Sequence, residues 1–473
     1  MDNDRHFRRP TSLSFSFRLL RRPDLLGLLL GALAGLAAIG AAGSPGGPRG
    51  GGDGSPPALA VTHLPPLLTV PGEPVELRYD VACLTLPAGE EDEVCHPAGS
   101  VFVRAGAAGP FRELALHEEP GAAGDRFVAS VPEALRTSPT GFSYYAVFRA
   151  PSGETVTHPA GGARAPQRSV PLDGVRTIDL GTHRFGHTRA AAARVAEASW
   201  GSGPGQVGLE QGRNLPPIGG ASFDVDRSGA VHVLDEANRR LLRWRPGART
   251  PESIPLAING TLADLAVDEE GALHVLETVG EGREQPFLRT FGPDGAARGR
   301  IAVAEQGVQV RVGPDGPLVL EQPSGQWMPA TSGGRPLTTA EQLAGGRAGR
   351  QLRGGGEVVV LRHANEVRLA LVSPSGARRS WRLTSETPLA EVQLAEPLGD
   401  RLVVVVRVYT DERDEFLVAV LDRTGLVERF SLDSADWAET APLSRFRLLG
   451  SSLYQLGSTP EGVFVSRYDL EVR

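Results

Sequence analysis

Residues 219–244 read GGASFDVDRSGAVHVLDEANRRLLRW, and this stretch decides the fold. Phe223 and Val225 alternate with acidic residues, as in a strand with one buried face. Residues 226–229 have the composition of a tight turn, because Asp suits its first position and Gly accepts a left-handed conformation. Two further apolar runs follow, separated by a second polar turn. The stretch therefore predicts three short antiparallel strands.

The same arrangement recurs toward the C-terminus. Residues 262–277 repeat it, with Asp268 and Gly271 at the positions of the first turn. A third copy spans 309–320, and three weaker, glycine-led copies follow after residue 350. Six cycles spaced by about 40 to 50 residues match the period of a β-propeller, in which four-stranded sheets surround a common axis.

The last cycle offers three strands, one fewer than the cycles before it. Residues 175–180 (VRTIDL) precede the first cycle and have the composition of a strand. We expect this segment to be the outer strand of the last blade. Such pairing joins the first and last blades and covers their edges.

The first cycle resembles the NHL repeat. The resemblance is carried by GSGPGQ at 201–206, FDVD at 223–226 and NRRL at 238–241. Proteins of that family form propellers, mostly with six blades. The resemblance therefore implies a six-bladed β-propeller over residues 173–473.

The resemblance also implies a structural polar network at the blade turn, made by Asp235, Asn238 and Arg239. In that network we expect Arg239 to bridge carboxylates and turn carbonyls. Where the family usually carries an aromatic, this chain has His232 and His274. One interpretation is a metal site shared between blades with the acidic residue three positions further on in each repeat. The interpretation we favour is packing in a middle strand with local hydrogen bonds.

Residues 58–172 form a different unit, in which segments of strand composition alternate with turn signals at the spacing of a small β-sandwich. Residues 142–148 (FSYYAVF) alternate aromatics, as a central strand does. In outline this unit resembles Ig-like or fibronectin type III-like modules. Cys83 and Cys95 are the only cysteines, and we expect one disulfide between them in an exported chain. A metal pair with His96 falls short of a tetrahedral site.

The N-terminus predicts the compartment. Residues 1–24 form a tail rich in arginine, and residues 25–43 contain no charge and are rich in Leu, Ala and Gly. That run is close to the roughly 20 residues that span a bilayer, so it predicts a single-pass anchor with the basic tail cytoplasmic and the C-terminal region exported. The alternative is a signal segment cleaved near Ala41 or Ala42, which yields a secreted protein. Residues 44–57 are a Gly/Pro-rich linker.

Composition excludes several function classes. The formal net charge is -7, and every basic residue is Arg because the sequence has no Lys. A Schiff-base lysine is therefore impossible. No basic patch stands out in the folded region, so nucleic acid is not an expected partner. The sequence also contains no P-loop, no Gly-x-Ser-x-Gly and no zincin motif.

These features predict an all-β fold class: a β-sandwich followed by a six-bladed β-propeller, with an N-terminal transmembrane or signal helix. The acidic residues of 411–415 are compatible with a calcium site or a solvated loop, and we favour the loop. The function we favour is a membrane-tethered binding scaffold whose propeller and sandwich loops engage an envelope or extracellular protein or a glycan.

The second function class is a metal-dependent propeller enzyme that resembles lactonases or lyases. Such enzymes hold a divalent metal in the central channel with acidic, Asn or His side chains. The inner strands here offer Asp264 and Gln309, but otherwise Ser222, Arg311 and apolar residues. We therefore assign no catalytic, cofactor-binding or metal-binding residue.

Overall fold

Short antiparallel strands joined by tight turns make up most of the regular structure. The computed structural model describes residues 59–83, 97–119, 125–150, 153–172, 174–211, 216–259, 263–277, 286–303, 307–321, 325–363 and 365–471. These residues, apart from Thr410–Arg413, belong to one compact unit. Within these ranges no helix has the length and apolar character needed to cross a membrane.

Several predicted features lie outside the described residues. They are the basic tail 1–24, the apolar segment 25–43, the linker 44–57 and Cys95. The disulfide between Cys83 and Cys95 therefore stays a prediction.

The N-terminal region contains two sheets. Its strands are β1 (Leu59–His63), β2 (Leu68–Thr69), β3 (Glu76–Cys83), β4 (Ala98–Ala105), β5 (Arg112–Ala115), β6 (His117–Glu118), β7 (Asp125–Ser130), β8 (Phe142–Arg149), β9 (Thr155–His158) and β10 (Gln167–Pro171). A short helix, α1 (Glu133–Arg136), follows β7. One sheet has the order β1-β3-β7-β6, and the other has β2-β10-β8-β4-β5 with β9 also paired to β8. Apolar side chains of both sheets share one hydrophobic cluster.

A histidine is buried in that cluster. His63 donates through Nδ1 to the carbonyl of Arg78 at 2.6 Å and accepts at Nε2 from the hydroxyl of Tyr144 at 2.7 Å. Its ring stacks on Tyr79 with 4.3 Å between centroids. Burial lowers the pKa of His63 to about 3, so the imidazole is neutral in the folded chain.

The strands after residue 172 are more numerous. They are β11 (Arg176–Asp179), β12 (Ala193–Ser199), β13 (Ser222–Val225), β14 (Val231–Asp235), β15 (Arg240–Trp244), β16 (Glu252–Pro255), β17 (Asp264–Val267), β18 (Leu273–Glu277), β19 (Phe287–Phe291), β20 (Ala297–Ala302), β21 (Gly307–Gly313), β22 (Gly316–Glu321), β23 (Trp327–Pro329), β24 (Thr331–Ser332), β25 (Arg335–Pro336), β26 (Arg350–Gln351), β27 (Glu357–His363), β28 (Glu366–Val372), β29 (Arg378–Thr384), β30 (Leu389–Leu398), β31 (Arg401–Tyr409), β32 (Asp414–Leu421), β33 (Leu426–Asp433), β34 (Phe446–Leu449), β35 (Ser452–Thr459) and β36 (Gly462–Asp469). A second helix, α2 (Thr339–Gly345), lies between β25 and β26.

In the described residues these strands form six sheets of three to five strands and the two-stranded hairpin β24–β25. Five of the sheets run up and down in chain order from β13, β17, β21, β26 and β30, and the sixth contains β34 to β36. Neighbouring sheets touch near their first strands: β34 contacts β13, β13 contacts β17, and β17 contacts β21. Among the fourth, fifth and last sheets, β27 contacts β30, and β30 contacts β34. This succession of contacts is a propeller-like arrangement.

Turns of the predicted kind end the first strands. The N–H of Gly229 donates to the carbonyl of Asp226 at 2.8 Å, and that of Gly271 donates to the carbonyl of Asp268 at 3.2 Å. Both glycines have a φ near +80°, at 83° and 79°. The predicted turn chemistry of the first two repeats is therefore confirmed.

The strand that completes the last sheet is not the one expected from the sequence. Residues 193–199, which form β12, pair antiparallel with β36. The expected segment 175–180 instead contains β11, which pairs in parallel with β29 at the edge of the fourth sheet. The expectation that 175–180 is the outer strand of the last sheet was wrong, because residues 193–199 take that place. The segment β12 buries only Ala196 and Ala198, so its apolar pattern is weak.

Buried contacts join the N-terminal sheets to the strands after residue 172. Leu68 and Leu172 share a hydrophobic cluster with Val359 and Ala370 of the fourth sheet. Around that cluster Glu73 lies between two guanidinium groups, 2.7 Å from Arg368 and 3.1 Å from Arg382. Both arginines also contact Glu366 of the same sheet. Another buried contact joins Gln326 Nε2 to Gln167 Oε1 at 2.8 Å. We name this set of contacts the inter-region clamp.

A charge in the buried face of β12 is expected to open the contact between the first and last sheets. Ala198→Glu should lower the free energy of unfolding by about 2 to 4 kcal/mol, because a carboxylate would lose its hydration there. The control Ser199→Glu places the same charge on the exposed side of the strand and should change it by no more than about 0.5 kcal/mol. Denaturant unfolding of both variants measures this. Equal stability of the two variants would contradict the role of β12.

The stability of the N-terminal sheets should depend on His63 between neutral and acidic pH. The unfolded chain takes up a proton near pH 6.5, whereas folded His63 resists protonation until about pH 3. The contribution of His63 is therefore complete above pH 6.5 and is lost as the pH falls toward 3. His63→Gln keeps one donor and one acceptor, and it should reduce the slope of unfolding free energy between pH 7.5 and pH 5. The exposed control His117→Gln should keep the wild-type slope; an unchanged slope in His63→Gln would refute this explanation.

Candidate functional site

The first strands of the sheets, which contact one another, are here called the inner strands, and the carboxylate of Asp264 on β17 accepts five hydrogen bonds among them. Its Oδ1 accepts from the hydroxyls of Ser222 at 2.6 Å and Ser444 at 2.7 Å, and from Nη2 of Arg447 at 3.2 Å. Its Oδ2 accepts from the backbone N–H of Val310 at 2.9 Å and from Nη1 of Arg311 at 3.1 Å. These groups come from three inner strands and the segment before β34. We name them the Asp264 hub.

Two guanidinium groups balance this buried charge. Arg447 also donates to the carbonyl of Leu265 at 3.1 Å, and its Nε lies 3.3 Å from Asp224 Oδ1. Burial alone would raise the pKa of Asp264, but Arg311 and Arg447 hold it below its ordinary value. Burial, together with repulsion from Arg447, lowers the pKa of Arg311 to about 10, so the group stays charged at neutral pH. Asp264 and Arg311 thus form an ionised pair inside the protein.

The hub does not fit a divalent cation. A carboxylate has about four lone-pair sites, and Asp264 already accepts from five donors. Gln309, the other inner-strand ligand considered from the sequence, donates through Nε2 to the carbonyl of Leu443 at 2.8 Å. Across the described ranges no group of three or more His, Cys, Asp or Glu side chains is arranged to hold a metal ion.

The two repeat-equivalent histidines make equivalent local contacts. His232 Nε2 lies 2.9 Å from Asp226 Oδ2, and His274 Nε2 lies 3.1 Å from Asp268 Oδ2. Each histidine therefore bonds the aspartate that begins the preceding turn of its own sheet. Burial would raise the pKa of Asp226, yet the hydrogen bonds from His232 and from a serine of the turn lower it. The predicted local hydrogen bonding of both histidines is confirmed.

The polar network of the first repeat is present with a different arginine. Asp235 is fully buried and accepts from Asn238 Nδ2 at 2.8 Å and from Arg240 Nε at 2.7 Å. Arg240 also donates to the carbonyls of Gly203 and Gln206, at 3.0 and 2.6 Å. The bridging role expected of Arg239 therefore belongs to Arg240.

The reason lies in the backbone at the turn. Arg239 has a φ of 52°, in the left-handed region, and its neighbour Arg240 begins strand β15. Arg240 pairs directly across from Asp235 in the sheet, so its side chain reaches that carboxylate.

Buried acids of the first, second and fifth sheets also accept hydrogen bonds from backbone N–H groups. Asp235 also accepts from the N–H of Gly208 at 2.9 Å, and Glu277 accepts from the N–H of Asn259 at 2.7 Å. Glu415 accepts from the N–H of Gly186 at 2.6 Å and contacts His183 at 2.8 Å. Sequence reasoning missed this role for Glu277 and Glu415. The signal available was that Glu277 falls where Asp235 falls in the preceding repeat.

The segment 434–445 carries two strained residues. Ala435 and Leu443 have φ values of 45° and 59°, which residues other than glycine rarely adopt. The carbonyl of Leu443 accepts from Gln309 Nε2 and from Arg311 Nη2. These hydrogen bonds from β21 keep Leu443 in its strained conformation. Trp437 of the same segment contacts Trp200 with 5.8 Å between ring centroids. Both tryptophans are only half-buried.

Charged groups lie beside this segment. Burial raises the pKa of Asp414, although Arg407 contacts it at 2.8 Å. Burial also lowers the pKa of Arg445, whose buried Nη1 makes no hydrogen bond within the described residues. Asp414 and Glu415 are thus engaged with other groups, which corrects the expectation of a solvated acidic loop for these two residues.

Comparisons with known proteins assign no family. No family model matches the chain, and no curated protein matches it. Among solved structures, virginiamycin B lyase from Staphylococcus aureus is similar at 9% identity, with a TM-score of 0.32, over 53% of this chain and 94% of that chain. YCF48 from Cyanidioschyzon merolae is similar at 11% identity and a TM-score of 0.30, over 55% and 98%. A structural genomics protein from Bacteroides thetaiotaomicron is similar at 11% identity and a TM-score of 0.31, over 88% and 99%. At these identities and TM-scores the similarities assign no activity to this chain.

Removing the charge of Asp264 should destabilise the inner strands. Asp264→Asn removes the carboxylate that contacts buried Arg311 and one of the two carboxylates beside Arg447, so we expect the free energy of unfolding to fall by about 3 to 5 kcal/mol. The exposed control Asp315→Asn should change it by no more than about 0.5 kcal/mol. EDTA should leave the melting temperature of the wild-type chain unchanged. A large drop with EDTA would show that a metal ion, rather than arginine, balances the carboxylate.

Proposed function

We propose that this chain is an exported, membrane-tethered binding scaffold. In this proposal residues 58–172 are a β-sandwich and residues 173–473 a six-bladed β-propeller, and their loops engage an envelope or extracellular protein or a glycan. Residues 25–43 anchor the chain in the membrane, and residues 44–57 are the linker. Cleavage of the anchor would release the same scaffold as a secreted protein.

The observation that carries this proposal is the bonding of Asp264. In a propeller enzyme of the lactonase or lyase kind, acidic side chains of the inner strands bind a divalent metal. Here the buried inner-strand carboxylate is occupied by two arginines, two hydroxyls and a backbone N–H. The polar groups at the axis are therefore used to hold the strands, which leaves the loops for recognition.

The segment 434–445 is the part of the loops that best suits recognition. It combines backbone strain at Ala435 and Leu443 with the half-buried pair Trp200 and Trp437. Large aromatic side chains supply contact area at a low entropic cost and are enriched at binding surfaces. The inter-region clamp supports the proposal as well, because loops on both regions are then presented in a fixed geometry.

The test uses the full chain purified in detergent and combines metal analysis with a binding assay. We expect no stoichiometric divalent metal, and we expect the immobilised chain to retain a defined protein or glycan from solubilised native envelopes. Trp437→Ala should reduce retention of that component at least about tenfold, the loss expected when an anchoring aromatic is removed.

Two variants separate recognition from folding. Trp437→Phe keeps an aromatic ring and should retain most of the binding, and Tyr409→Ala removes a different exposed ring and should retain all of it. Melting temperatures establish that each variant is folded. Stoichiometric metal together with EDTA-sensitive turnover would overturn the proposal, as would retention that Trp437→Ala leaves unchanged.

A further inference from the structure

A cleft of about 640 Å³ lies where the first and last sheets meet. Val195 of β12 and Tyr454 of β35 line it on one side, and Val231 of β14 and Trp244 of β15 line it on the other. These side chains belong to, or pack against, the hydrophobic cluster shared by the two sheets. The volume is in the range of roughly 300 to 1,000 Å³ that is typical of sites for small ligands.

Arginine is the dominant charged residue of the cleft. The charged residues along it are Arg194, Arg245, Arg249, Arg467 and Glu197. The guanidinium group of Arg194 stacks on the ring of Phe464, which does not line the cleft, at 4.2 Å from its centroid. Three of the guanidinium groups each contact one carboxylate, at distances between 3.0 and 3.4 Å. Arg249 is exposed and takes part in no ion pair within the described part of the chain. The guanidinium groups of Arg245, Arg249 and Arg467 thus meet two carboxylates, an excess of positive charge in a chain whose net charge is -7.

Some N–H groups of these arginines bind no carboxylate. A guanidinium group carries five N–H donors, and one carboxylate accepts at most two of them in the bidentate arrangement. Arg245 therefore keeps several donors free, and Arg249 donates no hydrogen bond within the described residues. The buried Nε of Arg467 makes no hydrogen bond within the described residues, although it lies 3.1 Å from Asp469 Oδ1. A buried N–H without a hydrogen bond is unusual and marks a place where an acceptor would be stabilised.

We propose that this cleft binds a small oxyanion that carries two or more carboxylate or phosphate groups. The guanidinium groups recognise the oxyanions, because planar N–H pairs match the oxygens of either group. The apolar side chains between them accept the non-polar part of the ligand. This site is separate from the segment 434–445, so the inference does not rest on the proposed loop partner.

The position of the cleft gives the ligand a second effect. Arg467 lies on β36 of the last sheet, whereas Arg245 and Arg249 follow β15 of the first sheet. A ligand held by arginines on both sides bridges the two sheets at their seam. A ligand that binds the folded chain and not the unfolded chain raises the melting temperature by mass action.

The test is calorimetric titration of the full chain with citrate and, separately, with inorganic pyrophosphate, at low ionic strength. We expect at least one probe to bind, with an affinity that falls as salt is added, and to raise the melting temperature. The probe that binds more tightly distinguishes a carboxylate ligand from a phosphate ligand. Glucose, which has no charge, should not bind.

The double variant R245E/R249E reverses two exposed charges and should weaken binding of the probe at least about tenfold without unfolding the chain. The matched control Arg423→Ala removes an exposed arginine from a turn of the fifth sheet and should bind as the wild type does. Trp437→Ala should also bind normally, which separates this site from the proposed loop surface. Absence of binding by both probes at about 10 mM, or equal binding by the double variant, would overturn the inference.

Discussion

The buried carboxylate of Asp264 is the contact on which the arrangement of the inner strands depends. A single ionised group in this position would be strongly destabilising, so its partners must be in place whenever the sheets are assembled. The partners Arg311 and Arg447 come from sheets far apart in the chain, and Ser222 comes from the first sheet. All the contacts of the network therefore form only in the arrangement in which these strands meet. Non-polar packing between sheets is less demanding, because it tolerates small shifts in register.

Buried acids recur near the ends of strands that are paired on both sides, and this pattern was partly readable from the sequence. The first repeat predicted the turn at Asp226, the local role of His232 and the participation of Asp235 and Asn238. These features depend on neighbours within about ten residues, where turn chemistry and strand alternation decide the structure. The acid at Glu277 was visible as a repeat-equivalent position, but its partner was not, because a backbone N–H leaves no mark in the sequence.

Long-range partners could not be predicted by the same reasoning. The strand β12 buries two alanines, so it has almost no apolar signature, whereas 175–180 has a stronger one and yet pairs at the edge of the fourth sheet. Arg447 lies 183 residues from Asp264 in the chain, and nothing in its local sequence marks it as a counter-ion. Arg239 and Arg240 differ only in the backbone conformation of the turn, which decides the side to which each side chain points.

The inter-region clamp has the same physical logic as the Asp264 hub. Glu73 lies between Arg368 and Arg382, and Glu366 contacts both arginines from the other side. Because Arg368 and Glu366 are buried, separating the two regions would expose an apolar cluster and also remove one carboxylate from a balanced group. Relative motion of the two regions is therefore opposed by the loss of apolar packing and by the charge imbalance that it would create. A partner that touches loops on both regions would not have to fix their relative orientation on binding, and that saving in entropy favours a scaffold that presents a composite surface.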